Sequence, residues 1–405
     1  MNQGTPRSRA PLALRGPAPR SVLSAVCALL AACSGGGPVD VEPDAQVDAS
    51  QPAQVALSTV NPPLFVAYRD GQAAWKTPEL VSVGSYAFEV TGPYQVTVVC
   101  SNGLAGVLTY QRARTPDDER TLTVACAGST PIDPYAVFGT VAQPGEVHVL
   151  QYVDLSSEPA WSYSFRVKPG TYDLFAHDDQ WVVLRRDLKV VDDHVEVAPI
   201  DLPLEGALLS HQAFTLTNET PGERELGSTV GVWFLTASTT GQLAFSSPIA
   251  QVPLVPSDRL RPTDAHRLTF FASDRAGSSR SIERPHRYGQ EPTATLPPPL
   301  GGPKLSLGRD LVASWSSLPE TDTVVVRSSS FSMVTRARNT HELELSKAYL
   351  AATGATTATL DTALPGYSAE WRVDQSVNVS ASVAARRVGQ LETTESKFSA
   401  TIPPR

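Results

Sequence analysis

In Trp161-Ser162-Tyr163-Ser164-Phe165-Arg166-Val167 every second side chain is apolar, and Lys168-Pro169-Gly170 then stops the run. A period of two buries one face of an extended strand and leaves the other in water, whereas a helix would scatter the same residues around its girth. The pattern recurs along the chain. Tyr94, Val96, Val98 and Cys100 alternate with Gln95 and Thr97, and Leu122, Val124 and Cys126 alternate with Thr121, Thr123 and Ala125. Further strands are expected at 171–176, 181–191, 214–217, 230–236, 267–272 and 324–327, with turns at His177-Asp178-Asp179-Gln180 and Asp192-Asp193. The 405 residues include 34 Pro and 27 Gly but 2 Met, and no long stretch has a period of 3.6. Short strands separated by Gly/Pro turns predict an all-β chain of tandem β-sandwich domains. The expected segments are a signal peptide over 1–32, a flexible acidic linker over 33–53, and β domains over 54–130, 133–204, 205–299 and 300–405.

The first 32 residues read differently. Arg7, Arg9, Arg15 and Arg20 come with no acid, an apolar run follows over 21–32, and small residues precede Cys33. That order is a secretory signal, and the run falls short of the roughly 20 residues a membrane-spanning helix needs. Leu30-Ala31-Ala32-Cys33 resembles the lipobox of bacterial lipoproteins. The resemblance implies cleavage before Cys33, acylation of its thiol and new amino terminus, and a membrane held through that lipid. In lipoproteins of this kind Asp after the cysteine marks inner-membrane retention. Ser34 therefore points to the outer membrane, with the chain facing the periplasm or the cell surface. Ser34-Gly35-Gly36-Gly37 and the acids Asp40, Glu42, Asp44 and Asp48, with no aromatic residue, read as a solvated tether.

The formal net charge is −8, and losing the four arginines with the signal brings it to about −12. So acidic a chain is a poor partner for nucleic acid, whose binders place Lys and Arg on phosphates. Nor does its charge draw it to anionic lipid, so the anchor must be the acyl chains. Of the four cysteines, Cys27 leaves with the signal and Cys33 carries the lipid. Cys100 and Cys126 remain, both on apolar strand faces, and are expected to pair in an oxidising compartment. An immunoglobulin domain would set a Trp between its two cysteines, whereas Trp75 precedes both.

Val167-Lys168-Pro169-Gly170-Thr171-Tyr172-Asp173-Leu174 resembles the Pro-Gly-x-Tyr turn of carboxypeptidase-regulatory-like, or transthyretin-like, sandwiches, and Val137-Phe138-Gly139-Thr140-Val141 resembles their first strand. That resemblance implies a spacer or binding module without catalysis. Leu311-Val312-Ala313-Ser314-Trp315-Ser316 resembles the Trp-bearing early strand of fibronectin type III domains. Pro297-Pro298-Pro299 is a stiff break, expected to leave the segments on either side some independence.

Catalytic signatures are missing. In Gly227-Ser228-Thr229-Val230-Gly231 the serine is misplaced for a nucleophile elbow, and His341-Glu342 lacks a second histidine because residue 345 is Leu. His177-Asp178-Asp179 and Asp192-Asp193-His194 hold metal-ligating side chains, but an intervening strand of about 11 residues separates them by roughly 35 Å. They read as turns, so no metal and no cofactor are expected. Arg275, Arg280, Arg284 and Arg287, near Arg267, His266 and His286, concentrate positive charge suited to an anionic glycan or lipopolysaccharide. Trp181, beside a polar turn, is the candidate for stacking on a sugar. The expected function is that of a lipid-anchored cell-envelope protein with a structural, display or binding role and no catalysis, its partners envelope proteins or glycans. The alternatives are a carbohydrate-binding module protein of the cell surface and, behind it, a hydrolase whose site has no linear motif.

Overall fold

Of the residues that a computed structural model describes, 56% lie in strands and 7% in helices, and the fold is an all-β arrangement of sandwich type. It describes residues 52–102, 106–126, 133–155, 161–246, 251–290, 292–333 and 336–404. The expected signal peptide, the lipobox-like stretch with Cys33 and the expected linker up to residue 51 lie outside these residues, and Ala53, the last residue of that linker, already belongs to the strand Ala53–Thr59.

The strands predicted from alternation form. Ser162–Val167 pairs with Tyr135–Thr140, and its Tyr163, Phe165 and Val167 point into a core with Val137, Leu174 and Ile200. This core lies between a three-stranded sheet and a five-stranded sheet. The latter has the order Tyr152–Leu155, Glu146–Val149, Gly170–His177, Trp181–Val190, Ala207–Leu208.

A single eleven-stranded sheet crosses the other three segments. It begins in the third with Thr240–Ser246, Ser228–Leu235, Ala265–Ser273 and Ser278–His286. It continues in the fourth with Thr393–Ile402, Val379–Val388, Thr323–Phe331 and Arg338–Ser346. It ends in the first with Val107–Arg114, Tyr94–Ser101 and Phe65–Asp70. The 297–299 break is therefore bridged rather than free, because Ser278↔Phe398 through Glu283↔Thr393 pair antiparallel across it and Ser396 Oγ donates to Pro298 O at 2.6 Å. Smaller sheets complete the sandwiches. A four-stranded sheet that includes Ala53–Thr59 covers Tyr94, Val96 and Val98, and a three-stranded sheet with Leu311–Ser314 covers Val324, Val326 and Val383.

The join between first and fourth segments is parallel, Thr340↔Leu108 through Leu345↔Ala113. Its two faces follow from period two. Leu343 and Leu345 turn into the core, while Glu342 and Glu344 face Arg112 and Arg114 across the strands, with Arg112 Nη1 3.0 Å from Glu342 Oε1. This docking alters one expectation. Gln95 and Thr97 read as the wet face of their strand, yet they are buried, and Gln95 Nε2 donates to Tyr349 Oη at 2.9 Å. Both faces of Tyr94–Ser101 are covered.

Cys100 and Cys126 form a disulfide, with Cα atoms 5.1 Å apart. Both are buried beside Leu57, Val98 and Leu122, where alternation had placed them.

Candidate functional site

Glu146–Val149 and Gly170–His177 are neighbours in the five-stranded sheet, with His177 opposite Glu146 and Phe175 opposite His148. Side chains two apart on a strand share a face, and so do directly opposed residues on neighbouring strands. Glu146, His148, Phe175 and His177 thus form a two-by-two patch on one face. The His148 ring lies over Phe175, centroids 4.5 Å apart and 20° from parallel.

The hairpin of Ser228–Leu235 and Thr240–Ser246 covers this patch. Thr240 N donates to Leu150 O at 2.5 Å, Asp173 N to Ser238 Oγ at 2.7 Å, and Thr239 Oγ1 to Asp173 O. Phe234 meets Phe175 edge-on at 5.3 Å. Gly241 is required here, because a Cβ on it would stand 2.3 Å from His148 Nδ1 and 2.5 Å from Phe175 Cζ. The second and third segments meet at this seam.

Three ligand-type atoms converge there. His148 Nε2 is 3.1 Å from His177 Nε2, and Glu146 Oε2 is 3.5 Å from the first and 3.8 Å from the second. His177 Nε2 also lies 3.1 Å from Gln242 O, and its Nδ1 lies 3.4 Å from Asp178 O. Both carbonyls only accept, so a neutral His177 serves one of them in each tautomer. With the hydrogen on Nδ1, the Nε2 lone pair faces His148 and Glu146. Burial, and then the neighbouring His148, push the His177 imidazole below its ordinary value, and the hydrogen bond from His148 holds the Glu146 carboxyl below the usual carboxylate range. Both histidines are buried, while Glu146 is half-buried at the rim. A cleft of about 710 Å³ opens above them, with His177, Asp178 and Asp179 on one side and His211, Gln242 and Phe245 on the other. Among the described residues, Glu146, His148 and His177 form the cluster whose ligand atoms lie close enough together to hold a metal ion.

The structure separates the two turns that sequence analysis singled out. His177 lies just before Trp181–Val190 and His194 just after it, where His194 Nδ1 accepts from Ala136 N at 2.9 Å and ties down the chain. His177 finds its partners across the sheet instead. Glu146 and His148 escaped the sequence reading, since Glu-x-His and Phe-x-His become one patch only once the register between their strands is known.

The arginine group does not converge. Arg275 and Arg287 are exposed, at opposite ends of the hairpin of Ala265–Ser273 and Ser278–His286, which eight residue steps of about 3.4 Å place roughly 27 Å apart. Arg284 donates to Thr293 O at 2.9 Å, with its guanidinium over the Phe270 ring. Arg280 is 1% exposed and bound to Glu223, Pro297 O and Asn218 O, so it offers no face to a ligand and is corrected to a core ion pair. Trp181 is half-buried against the core of the second segment, and its backbone N–H donates to Asp178 Oδ1 at 2.7 Å.

A second cleft, of about 790 Å³, lies where the first and fourth segments meet. Trp371 lines it with Asn339, Arg372, Asp374 and Gln375, and packs against Tyr367 and Phe65. No model of a known protein family matches this chain, and no curated protein matches it.

Proposed function

We propose that this chain is an exported, lipid-anchored protein of the bacterial cell envelope, held through Cys33 and serving in binding rather than catalysis. The Cys100–Cys126 disulfide carries the reading. It sits in the core of the first segment, and such bonds persist in oxidising compartments. The Arg-bearing, acid-free leader and the lipobox-like Leu30-Ala31-Ala32-Cys33 add to it. The binding role rests on the clefts, which lie where segments meet, a common place for ligand sites.

Mass spectrometry of the amino-terminal peptide, from the full chain produced in a bacterium, tests the anchor. The expected peptide begins at acylated Cys33, and Cys33→Ala releases the protein from the membrane fraction. An intact Met1, or cleavage elsewhere, overturns it.

A second reading, carbohydrate binding at the cell surface, is favoured by the Trp371 cleft, where an aromatic ring stands among hydrogen-bonding side chains. A glycan array with Trp371→Ala and Trp181→Ala as controls separates the two readings. Binding that Trp371→Ala abolishes supports the glycan reading, and an array with no bound sugar removes it.

A further inference from the structure

We propose that Glu146, His148 and His177 bind one divalent transition-metal ion of the zinc class, through Glu146 Oε2 and the Nε2 atoms of both histidines. The proposal does not depend on the lipid anchor.

The spacing is that of a coordination shell. Bonds of about 2.0–2.1 Å to a tetrahedral ion put neighbouring ligand atoms about 3.3 Å apart. The three separations here are 3.1, 3.5 and 3.8 Å, so an ion fits after side-chain shifts of a few tenths of an ångström. The donors also select the ion. Two imidazoles and one carboxylate suit zinc or copper, whereas calcium and magnesium prefer shells of oxygen.

The site is built before the metal arrives. Phe175 and the space left by Gly241 fix the His148 ring, and the strand pairing sets Glu146 against His177. Asp178 O can take the Nδ1 hydrogen of His177, the outer partner that orients a ligating imidazole. That tautomer would aim the Nε2 lone pair and the Gln242 carbonyl at each other across 3.1 Å, a repulsion that a cation beside them removes. Three protein ligands leave a fourth position, and the half-exposed Glu146 places that opening at the cleft. The bound ion would be reachable from solution and exchangeable.

Calorimetric titration of the full-length chain with Zn²⁺ at pH 7, after stripping with a chelator, tests the site. One equivalent of saturable binding is expected. Glu146→Gln and His148→Gln should each weaken it by roughly tenfold or more, at least the effect of losing an outer partner. His211→Gln, in the same cleft but outside the cluster, should stay within about twofold of the wild type on the same reasoning. Co²⁺ should give a visible absorption band that His148→Gln removes. If the buried His148 variant does not fold, Glu146→Gln at the rim still decides. Wild-type protein without saturable Zn²⁺ binding overturns the proposal, as does binding lost in His211→Gln but kept in Glu146→Gln.

Discussion

Arg280 and Glu223 form an ion pair in the interior, with Arg280 Nε 2.8 Å from Glu223 Oε1 and side chains 1% and 3% exposed. The remaining donors of Arg280 reach Asn218 O and Pro297 O, and Glu223 Oε2 accepts from Thr220 N as part of the capping box of the short helix Pro221–Leu226. One pair thus ties a helix, a strand and the Pro-rich crossing together. Removing one partner strands the other charge in a dry interior, which costs about 3–5 kcal/mol, whereas an apolar pair of similar volume costs far less. Glu223→Ala is expected to lower stability by that amount in urea unfolding, and Arg280→Met with Glu223→Leu to recover most of it.

A second prediction concerns the seam between first and fourth segments. Gln111, 1% exposed, donates from Nε2 to Asp361 O at 2.5 Å and accepts at Oε1 from Asp361 N at 3.3 Å. Its side chain acts as one more rung of backbone pairing between residues 250 apart. Gln111→Leu keeps the volume but takes the side-chain partner from the N–H and C=O of half-buried Asp361, at up to about 1–3 kcal/mol for each group. Hydrogen exchange should quicken in both Val107–Arg114 and Thr357–Leu360. Faster exchange confined to the first would show that the segments are not coupled there.

These two contacts mark what was and was not legible in the sequence. Alternation located Ser162–Val167 and Tyr94–Ser101 and put both cysteines on buried faces, because one face of a half-buried strand is written in its own residues. Which strand lies beside which is not written there. Nothing in Val107–Arg114 announces Arg338–Ser346 as its parallel neighbour, so the burial of Gln95 and Thr97 and the union of His148 with His177 were hidden. Arg280 differs in that its burial does have a local mark, since it alternates with Ile282 on the core-facing side of its strand, although its charge by itself points to the surface. Its partner Glu223 was marked only by the Thr220-x-x-Glu223 capping box.

The disulfide gives a third prediction. Cys100 and Cys126 are 26 residues apart, and closing a loop of that size restricts the unfolded chain by about 3.5 kcal/mol in the chain-entropy model. Cys100→Ala with Cys126→Ala should lower stability by up to that amount. Dithiothreitol should act in the same direction on the wild type and leave the double variant unchanged. Free thiols in the native protein, titrated after export, would remove the bond from the account.

The last prediction is acid sensitivity set by buried histidines. His341 is fully buried, with Nε2 2.8 Å from Trp371 O and Nδ1 3.4 Å from Ser328 Oγ, and burial pushes it down to about 4. His266 accepts at Nε2 from Val255 N at 2.9 Å, beside Phe234, Tyr288 and His286, and burial followed by the neighbouring His286 pushes it down to about 4. Unfolding returns each to about 6.5. Between about pH 6.5 and 4 the unfolded chain therefore binds more protons than the folded one, so stability is complete above 6.5 and falls as pH drops towards 4. A shift of this size corresponds to about 3 kcal/mol per histidine across the window. Urea midpoints taken from pH 7.5 to 4 should fall accordingly. His341→Gln, which keeps a donor for Trp371 O, should start less stable but show a flatter pH dependence. An unchanged slope in that variant would assign the acid sensitivity to other groups.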